Sequence, residues 1–229
     1  MKPHKRLYWV IPPEQNADFV CQMERVLDVY QRPYDPKRPV ICLDETSKQL
    51  ISETRHPITT AKGVVLHDYE YKREGVRDIY MVCEPLAGKR YVSVHASHNR
   101  LVWASVVANI VENIHPDAIK ITLVQDNLSA HKPSAMYELF PPERAKRILD
   151  KIEFVYTPKH GSWLNIAEIE LSVLSRQCLD ERMPSEEVLV DATSQWEAYR
   201  NTKATVVDWQ FTTADARIKL KRLYPSFSS

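Results

Sequence analysis

The sequence predicts an α/β fold in which helices flank a mixed five-stranded sheet. Three observations support this prediction: two early strand-like runs flank a glycine turn, later strand-like runs alternate with runs of helical periodicity, and 229 residues with 44% hydrophobic content can bury one sizeable core. A hairpin makes neighbouring strands antiparallel, whereas strand–helix–strand connections make them parallel. Both kinds of connection together predict a mixed sheet.

The first elements are a helix and a stiff linker. Apolar residues from Phe19 to Tyr30 recur at helical spacing and predict an amphipathic helix that ends near Arg32. Three prolines at positions 33, 36 and 39 restrict the backbone and remove hydrogen-bond donors, which predicts a linker. We therefore expect residues 1–39 to form an arm, a helix and a linker. The arm carries three basic residues, Lys2, Lys5 and Arg6.

Apolar runs after the linker predict strands at residues 40–44, 78–84, 90–96, 121–125 and 154–156. Gly88 lies between the second and third runs and predicts a hairpin there. Helical periodicity predicts helices within residues 101–114, 133–152, 163–180, 185–201 and 213–223. This order of elements fits the ribonuclease H-like architecture. We expect that domain at residues 40–182, followed at 183–229 by a helical extension with a basic tail.

The composition limits the classes of partner and compartment. Lys and Arg number 31 against 30 Asp and Glu, so no overall positive field indicates a nucleic-acid partner, and any basic surface must be local. Four widely spaced cysteines without a CxxC pair predict free thiols in a reducing compartment. No apolar run approaches the roughly 20 residues that cross a bilayer. We expect a cytoplasmic protein with no membrane partner.

Two of the predicted strands end on an aspartate, Asp44 and Asp126. Ligands of open sheets collect beyond the carboxyl ends of parallel strands. If the two strands are neighbours, both carboxylates can share a Mg²⁺ ion, which prefers oxygen ligands and keeps waters for a substrate phosphate. The alternative is that both aspartates only form turns or cap helices.

A third acid comes from the helix that follows a polar loop. Leu164, Leu171 and Leu174 belong to the buried stripe of this helix. At about 100° per residue, Glu168 and Glu170 both lie roughly 80° from the centre of that stripe, on opposite sides. Periodicity does not choose between them.

Three segments carry a more specific pattern. The longest reads Thr157-Pro-Lys-His-Gly-Ser-Trp-Leu-Asn-Ile-Ala-Glu168; the others are Leu-Asp-Glu at 43–45 and Gln-Asp-Asn at 125–127, followed by His131. Together they resemble the DDE transposases of bacterial insertion sequences in the mariner superfamily, specifically the six-thirty insertion-sequence family. The resemblance runs from residue 9 to residue 225.

The resemblance implies a catalytic and metal-binding triad. The family's Leu-Asn-x-x-Glu pattern falls on Leu164, Asn165 and Glu168, so the triad is Asp44, Asp126 and Glu168, and Glu170 becomes a flanking residue. Two Mg²⁺ or Mn²⁺ ions would activate the attacking oxygen and stabilise the leaving one. Asp44 would bridge both ions, Asp126 would hold one, and Glu168 the other.

The same resemblance implies DNA strand cleavage followed by strand transfer, which is cut-and-paste transposition. The substrate would be double-stranded DNA at transposon ends, and the target a TA dinucleotide. We expect a homodimer, and we expect the family's helix-turn-helix domains on a separate chain. The alternatives are a ribonuclease H-like nuclease without strand transfer and a non-catalytic DNA-binding remnant of a transposase.

Several neighbours of the triad are candidate supporting residues. His131 would orient Asp126 or contact the scissile phosphate, or else pack locally. Asn127 would organise the turn after its strand. Asn165 and His160 belong to the motif around Glu168, and Ser162 would cap its helix.

Basic residues are candidates for DNA contact. Lys159 and His160 lie where a phosphate would approach the loop, although a solvated loop is the alternative. Near the C-terminus, positive charges cluster and would neutralise phosphates, or else form a solvated and partly packed face. The clustered residues are Arg217, Lys219, Lys221 and Arg222.

Overall fold

The computed structural model of the protein describes residues 14–66 and 68–226. The basic arm with Lys2, Lys5 and Arg6 lies outside the described residues. The strands are β1 (Val40–Glu53), β2 (Ile58–Thr59), β3 (Val65–Leu66), β4 (Tyr71–Glu84), β5 (Lys89–His95), β6 (Ile121–Gln125) and β7 (Ile152–Tyr156). The α-helices are α1 (Ala17–Tyr30), α2 (Arg100–Asn109), α3 (Ala135–Leu139), α4 (Pro142–Asp150), α5 (Ile166–Gln177), α6 (Glu186–Lys203) and α7 (Thr213–Lys219).

Five of these strands form one mixed sheet in the order β5-β4-β1-β6-β7. The pairs β1–β4 and β4–β5 are antiparallel, whereas β1–β6 and β6–β7 are parallel. The predicted mixed five-stranded sheet is therefore confirmed. Gly88 has a φ of +65° in the hairpin between β4 and β5. A Cβ atom there would lie 2.5 Å from the Ala204 carbonyl oxygen, so both the turn and the neighbouring chain require glycine.

Strands β1 and β4 are longer than the apolar runs predict. Their antiparallel pairing continues to Glu53 and Tyr71, and a two-stranded hairpin of β2 and β3 lies in the connection between them. Apart from the buried Leu50, the residues of this ribbon are partly or fully exposed, so its sequence lacks the apolar run that marks a buried strand. Its pairing depends on main-chain hydrogen bonds, which leave no signal in the side chains.

Helices cover both faces of the sheet because successive strand residues point to opposite faces. Cys42 packs in one core with Met23 of α1 and Leu174 of α5, while Leu43 packs in the other with Trp103 of α2. Residues of α6 and α7 also belong to the first core. All three regions of the chain that the sequence distinguishes therefore contribute to one packed layer.

Helix α6 protects the outer edge of the sheet. The Asn201 side chain accepts from the Arg90 N–H at 2.8 Å and donates to the Arg90 carbonyl at 2.7 Å. The Glu197 carboxylate accepts from the Val92 N–H at 2.6 Å. Side chains of α6 thus occupy the backbone groups of edge strand β5, which would otherwise be free to pair with another chain.

A buried ion cluster joins α5, β5 and α6. Arg90 is fully buried and donates to Glu170 at 2.7 Å, and Arg200 donates to the same carboxylate at 3.1 Å. Burial alone would raise the pKa of Glu170, but the hydrogen bonds and charges of the two arginines outweigh it and lower the pKa.

The four cysteines are free thiols. None of the helices within the described ranges combines the length and apolar character that a bilayer crossing requires.

Candidate active site

Asp44 and Asp126 lie beyond the carboxyl ends of neighbouring parallel strand segments. The parallel pairing of β1 with β6 ends at Cys42 and Val124, two residues before each aspartate. The prediction that the strand ends at Asp44 is wrong, because β1 continues in antiparallel pairing with β4. The aspartate nevertheless lies where the parallel ladder stops.

Glu168 joins the two aspartates in one cavity. It is the third residue of α5, and its carboxylate lines a cavity of about 410 Å³ together with Asp44 and Asp126. Glu170, two residues further along, is buried in the ion cluster with Arg90. The structure therefore separates the two acids that helical periodicity left open: Glu168 faces the cavity and Glu170 faces the protein interior.

The start of α5 differs from the sequence prediction. Ser162 does not cap this helix but begins a short 3₁₀ helix, Ser162–Leu164. Asn165 is the N-cap: its backbone is extended, and its side chain accepts from the Ala167 N–H. The error arose because residues 162–164 are themselves helical, which moves the true boundary three residues along the chain.

Asp44 is surrounded by negative charge. Burial raises its pKa to about 7, the Glu45 N–H donates to it at 2.9 Å and opposes this rise, and the charges of Glu45, Asp126 and Glu168 reinforce it. Among the described residues no cationic side chain forms an ion pair with Asp44 or Glu168. The cavity thus has an excess of negative charge.

His131 holds the Asp126 carboxylate. Its ring is buried, and Nδ1 lies 2.5 Å from Asp126 Oδ1, while Nε2 lies 3.4 Å from Glu45 Oε2. Burial lowers the pKa of His131, but the two carboxylates outweigh burial and raise it to about 9. A protonated imidazole therefore lies between Asp126, to which it is hydrogen-bonded, and Glu45, with which it forms a longer ion pair.

A buried tryptophan supports this histidine. The Trp103 ring stacks on His131 with centroids 5.9 Å apart, and Trp103 Nε1 donates to Gln125 at 3.0 Å. The sequence analysis missed both roles, because an apolar residue in a helix and a glutamine at the end of a buried strand carry no functional signal.

A second cavity of about 610 Å³ adjoins the first and shares Asp126 and Ser162 with it. Asn127, Lys159 and His160 line this second cavity, opposite the first turns of α1. His160 has a φ of +64°, a left-handed conformation that is uncommon outside glycine. The loop candidates from the sequence are therefore grouped beside the three carboxylates.

The basic tail lies apart from these walls. Arg217 donates to the Glu24 carboxylate at 2.8 and 2.9 Å, and Lys219 lies 3.5 Å from Asp215. Lys221 and Arg222 are exposed in a 3₁₀ helix, Lys221–Leu223. None of these four residues lines either cavity.

Solved structures share the fold of this chain. The Mos1 mariner paired-end complex with Mn matches with a TM-score of 0.56 and 13% identity, over 90% of this chain and 63% of that chain. The Mos1 strand transfer complex matches with a TM-score of 0.58 and 14% identity, over 88% of this chain and 61% of that chain. This chain therefore spans less than two thirds of those chains, and at this identity the likeness establishes the ribonuclease H-like fold.

Comparison of the sequence with known families gives a narrower assignment than the fold. No curated protein matches the chain. The pattern of the DDE superfamily endonuclease family matches residues 39–190, which is well over half of the chain and contains Asp44, Asp126 and Glu168. The chain belongs to the DDE superfamily endonuclease family.

Proposed function

We propose that this chain is the catalytic core of a mariner-type transposase, which cleaves DNA at transposon ends and transfers the cut strands to a target. The observation that carries the proposal is the meeting of Asp44, Asp126 and Glu168 in one cavity at the end of the parallel strands. Solved structures of the same fold include a Mos1 transposase paired-end complex with the left transposon end and the Mos1 strand transfer complex. Residues 40–182 would form the catalytic domain.

The donor set fits divalent metal ions. Within residues 14–66 and 68–226, no three His, Cys, Asp or Glu side chains already stand at coordinating positions, so the carboxylates share a cavity without forming a closed ligand set. Carboxylate oxygens are nevertheless the ligands that Mg²⁺ prefers, and a cation would relieve both causes that raise the pKa of Asp44, its burial and the neighbouring negative charges. Asp44, Asp126 and Glu168 would hold two Mg²⁺ or Mn²⁺ ions, which supply Lewis acidity at the attacking and leaving oxygens.

The remaining residues bind and orient. His131 would orient the Asp126 carboxylate toward the cavity through the hydrogen bond between Nδ1 and Oδ1. Lys159 and His160 lie on the adjoining wall, where they would contact the DNA backbone, and Asn127 lies beside them. Arg217, Lys219, Lys221 and Arg222 would add salt-dependent contacts to more distant phosphates.

The proposed partners follow from the reaction. Transposition processes two ends, so we propose a homodimer on double-stranded DNA, with a TA dinucleotide as target. Recognition of the terminal repeats would come from helix-turn-helix domains on a separate chain. The reaction would take place on DNA in a bacterial cytoplasm.

A plasmid assay tests the proposal. The substrate is a supercoiled plasmid that carries the DNA flanking the coding region of this chain on both sides. Incubation with the purified chain and Mg²⁺ or Mn²⁺ should produce strand breaks, which should fall at defined positions in the flanks once the helix-turn-helix chain is supplied, and pre-cleaved ends should join to a target plasmid. Asp44→Asn is the matched inactive control.

Each of the other outcomes of this assay would favour a different function or site. Breaks without joining would support a nuclease that lacks strand transfer. Binding of the plasmid without breaks, in either metal, would support a non-catalytic remnant. Breaks that persist in Asp44→Asn would contradict the assignment of the site.

A further inference from the structure

Asn165 lies where the helix that carries Glu168 meets the strand that carries Asp44. Its side chain is buried, and its Nδ2 donates to the carbonyl of Leu43, the residue before Asp44, at 3.0 Å. Its Oδ1 accepts from the Ala167 N–H at 3.1 Å, and its own carbonyl accepts from the Glu168 N–H at 3.1 Å. One residue therefore joins the backbone beside Asp44 to the helical turn that presents Glu168.

This double contact explains why the position holds an asparagine. A helix cap needs a short side chain with an acceptor, and the contact with Leu43 needs a donor on the same side chain. Asparagine supplies both, whereas an ionised aspartate supplies acceptors alone, and serine has a shorter side chain without the amide. Capping alone would be served as well by serine.

The contact lies where β1 has lost its parallel neighbour β6 and is paired with β4 alone. The parallel ladder between β1 and β6 ends at Cys42, so Asp44 lies beyond it. The segment before Asn165 is held from another direction, because Tyr30 of α1 donates its hydroxyl to the Leu164 carbonyl at 2.7 Å. Asn165 forms the direct hydrogen bond from this segment to the backbone beside Asp44, whereas Tyr30 reaches β1 through the Cys42 thiol.

We propose that Asn165 is a positioning residue that sets the separation of the Asp44 and Glu168 carboxylates and thereby the affinity of the site for a divalent cation. This inference rests on the proposed function, in which both carboxylates hold the cation. Groups that orient metal ligands typically change metal affinity by about 10- to 100-fold when they are removed. We expect an effect in that range.

Calorimetric titration of the DNA-free chain with Mn²⁺ tests the inference. Asn165→Ser keeps a good helix cap and removes the amide donor to Leu43. Asn201→Ser is the matched control, because it removes an equivalent amide donor to the Arg90 carbonyl, at 2.7 Å, and Asn201 does not line the cavity of the three carboxylates. Asn165→Ser should bind Mn²⁺ about 10- to 100-fold more weakly than the wild type. Asn201→Ser should match the wild type, and plasmid cleavage by Asn165→Ser should recover at higher Mn²⁺.

The outcomes distinguish this inference from the proposed function. If the wild type and Asn165→Ser bind Mn²⁺ equally well, the inference fails and the proposed function stands. If the wild type binds no Mn²⁺, both fail. If Asn165→Ser does not fold, Asn165→Thr takes its place, since its hydroxyl also caps. Failure of both variants to fold, where Asn201→Ser folds, would overturn the inference in favour of a purely structural role.

Discussion

Glu170 and Asp44 are both carboxylates withdrawn from solvent, but their surroundings are opposite. Glu170 accepts hydrogen bonds from Arg90 and Arg200, and its pKa is lowered. Asp44 has acidic neighbours, and its pKa is raised to about 7. Burial pushes both pKa values upward; the acidic neighbours of Asp44 reinforce this rise, whereas the two arginines beside Glu170 reverse it.

This difference separates a structural ion cluster from the proposed metal site. The Glu170 carboxylate is neutralised by two arginines of the same chain, and it links α5 to β5 and α6. The Asp44 carboxylate is left for a proton or a metal ion to neutralise. Helix α5 presents one acid to each region, Glu168 to the cavity and Glu170 to the arginines.

Loss of a cavity carboxylate should have the largest effect on activity. Asp44→Asn and Glu168→Gln should each reduce Mg²⁺-dependent plasmid cleavage to the background rate, because each removes a proposed metal ligand. Neither should lower the thermal unfolding temperature much, since each relieves repulsion between neighbouring carboxylates. Cleavage assays and thermal unfolding in metal-free buffer measure the two effects. A large loss of stability without loss of cleavage would reverse the assignment.

The corresponding substitution in the ion cluster, Glu170→Gln, should lower the free energy of unfolding. Glu170→Gln makes the same substitution two residues from Glu168, but it leaves the buried Arg90 without its anionic partner. Removing one partner of a buried ion pair typically costs about 3–5 kcal/mol of the free energy of unfolding. Denaturant unfolding of Glu170→Gln beside Glu168→Gln measures the difference. Equal stabilities would show that the arginines find solvent or other partners.

The comparison also shows what the sequence could predict. The mixed sheet followed from continuous apolar runs, because its central strands are buried on both faces, and α1 followed from helical periodicity, because one of its faces packs on a core. The exposed ribbon of β1 and β4 did not, since its pairing depends on the main chain. Family resemblance selected Glu168 over Glu170, which periodicity could not do. The residues that distinguish them in the structure, Asp44 and Arg90, lie in distant segments of the sequence, and no local pattern connects those segments to α5.

Two further contacts around the site were not predicted from the sequence. Asn165 rather than Ser162 caps α5, because a short 3₁₀ helix precedes the cap. The stacking of Trp103 on His131 joins residues 28 positions apart, and it becomes visible once α2 is packed on the sheet. Such contacts depend on tertiary packing, so single-sequence periodicity does not report them.

The pH dependence of stability should follow the same contrast. The raised pKa of Asp44 favours the folded state at low pH, and this contribution is lost as pH rises from about 4, its ordinary value, to about 7. The metal-free wild type should therefore lose stability relative to Asp44→Asn by up to about 1.4 kcal/mol per pH unit across this window. Glu170 acts in the opposite sense: its contribution is present above its ordinary pKa and is lost as pH falls. Unfolding of both proteins between pH 4 and pH 8 checks the slope, and parallel curves would contradict it.

Substitutions in the basic tail should have the smallest effect, a change in the salt dependence of DNA affinity. Here the comparison is between a cationic side chain that is paired within the fold and one that is not buried. Arg217 already pairs with Glu24, whereas Lys221 is exposed in its 3₁₀ helix. If the tail contacts DNA phosphates, Lys221→Gln should reduce the salt dependence of DNA affinity by about one unit of slope, and Arg217→Gln by less. Titrations of a labelled duplex at several salt concentrations measure both slopes. A larger loss of slope for Arg217→Gln would mean that a DNA phosphate replaces Glu24 as the partner of Arg217 when DNA binds.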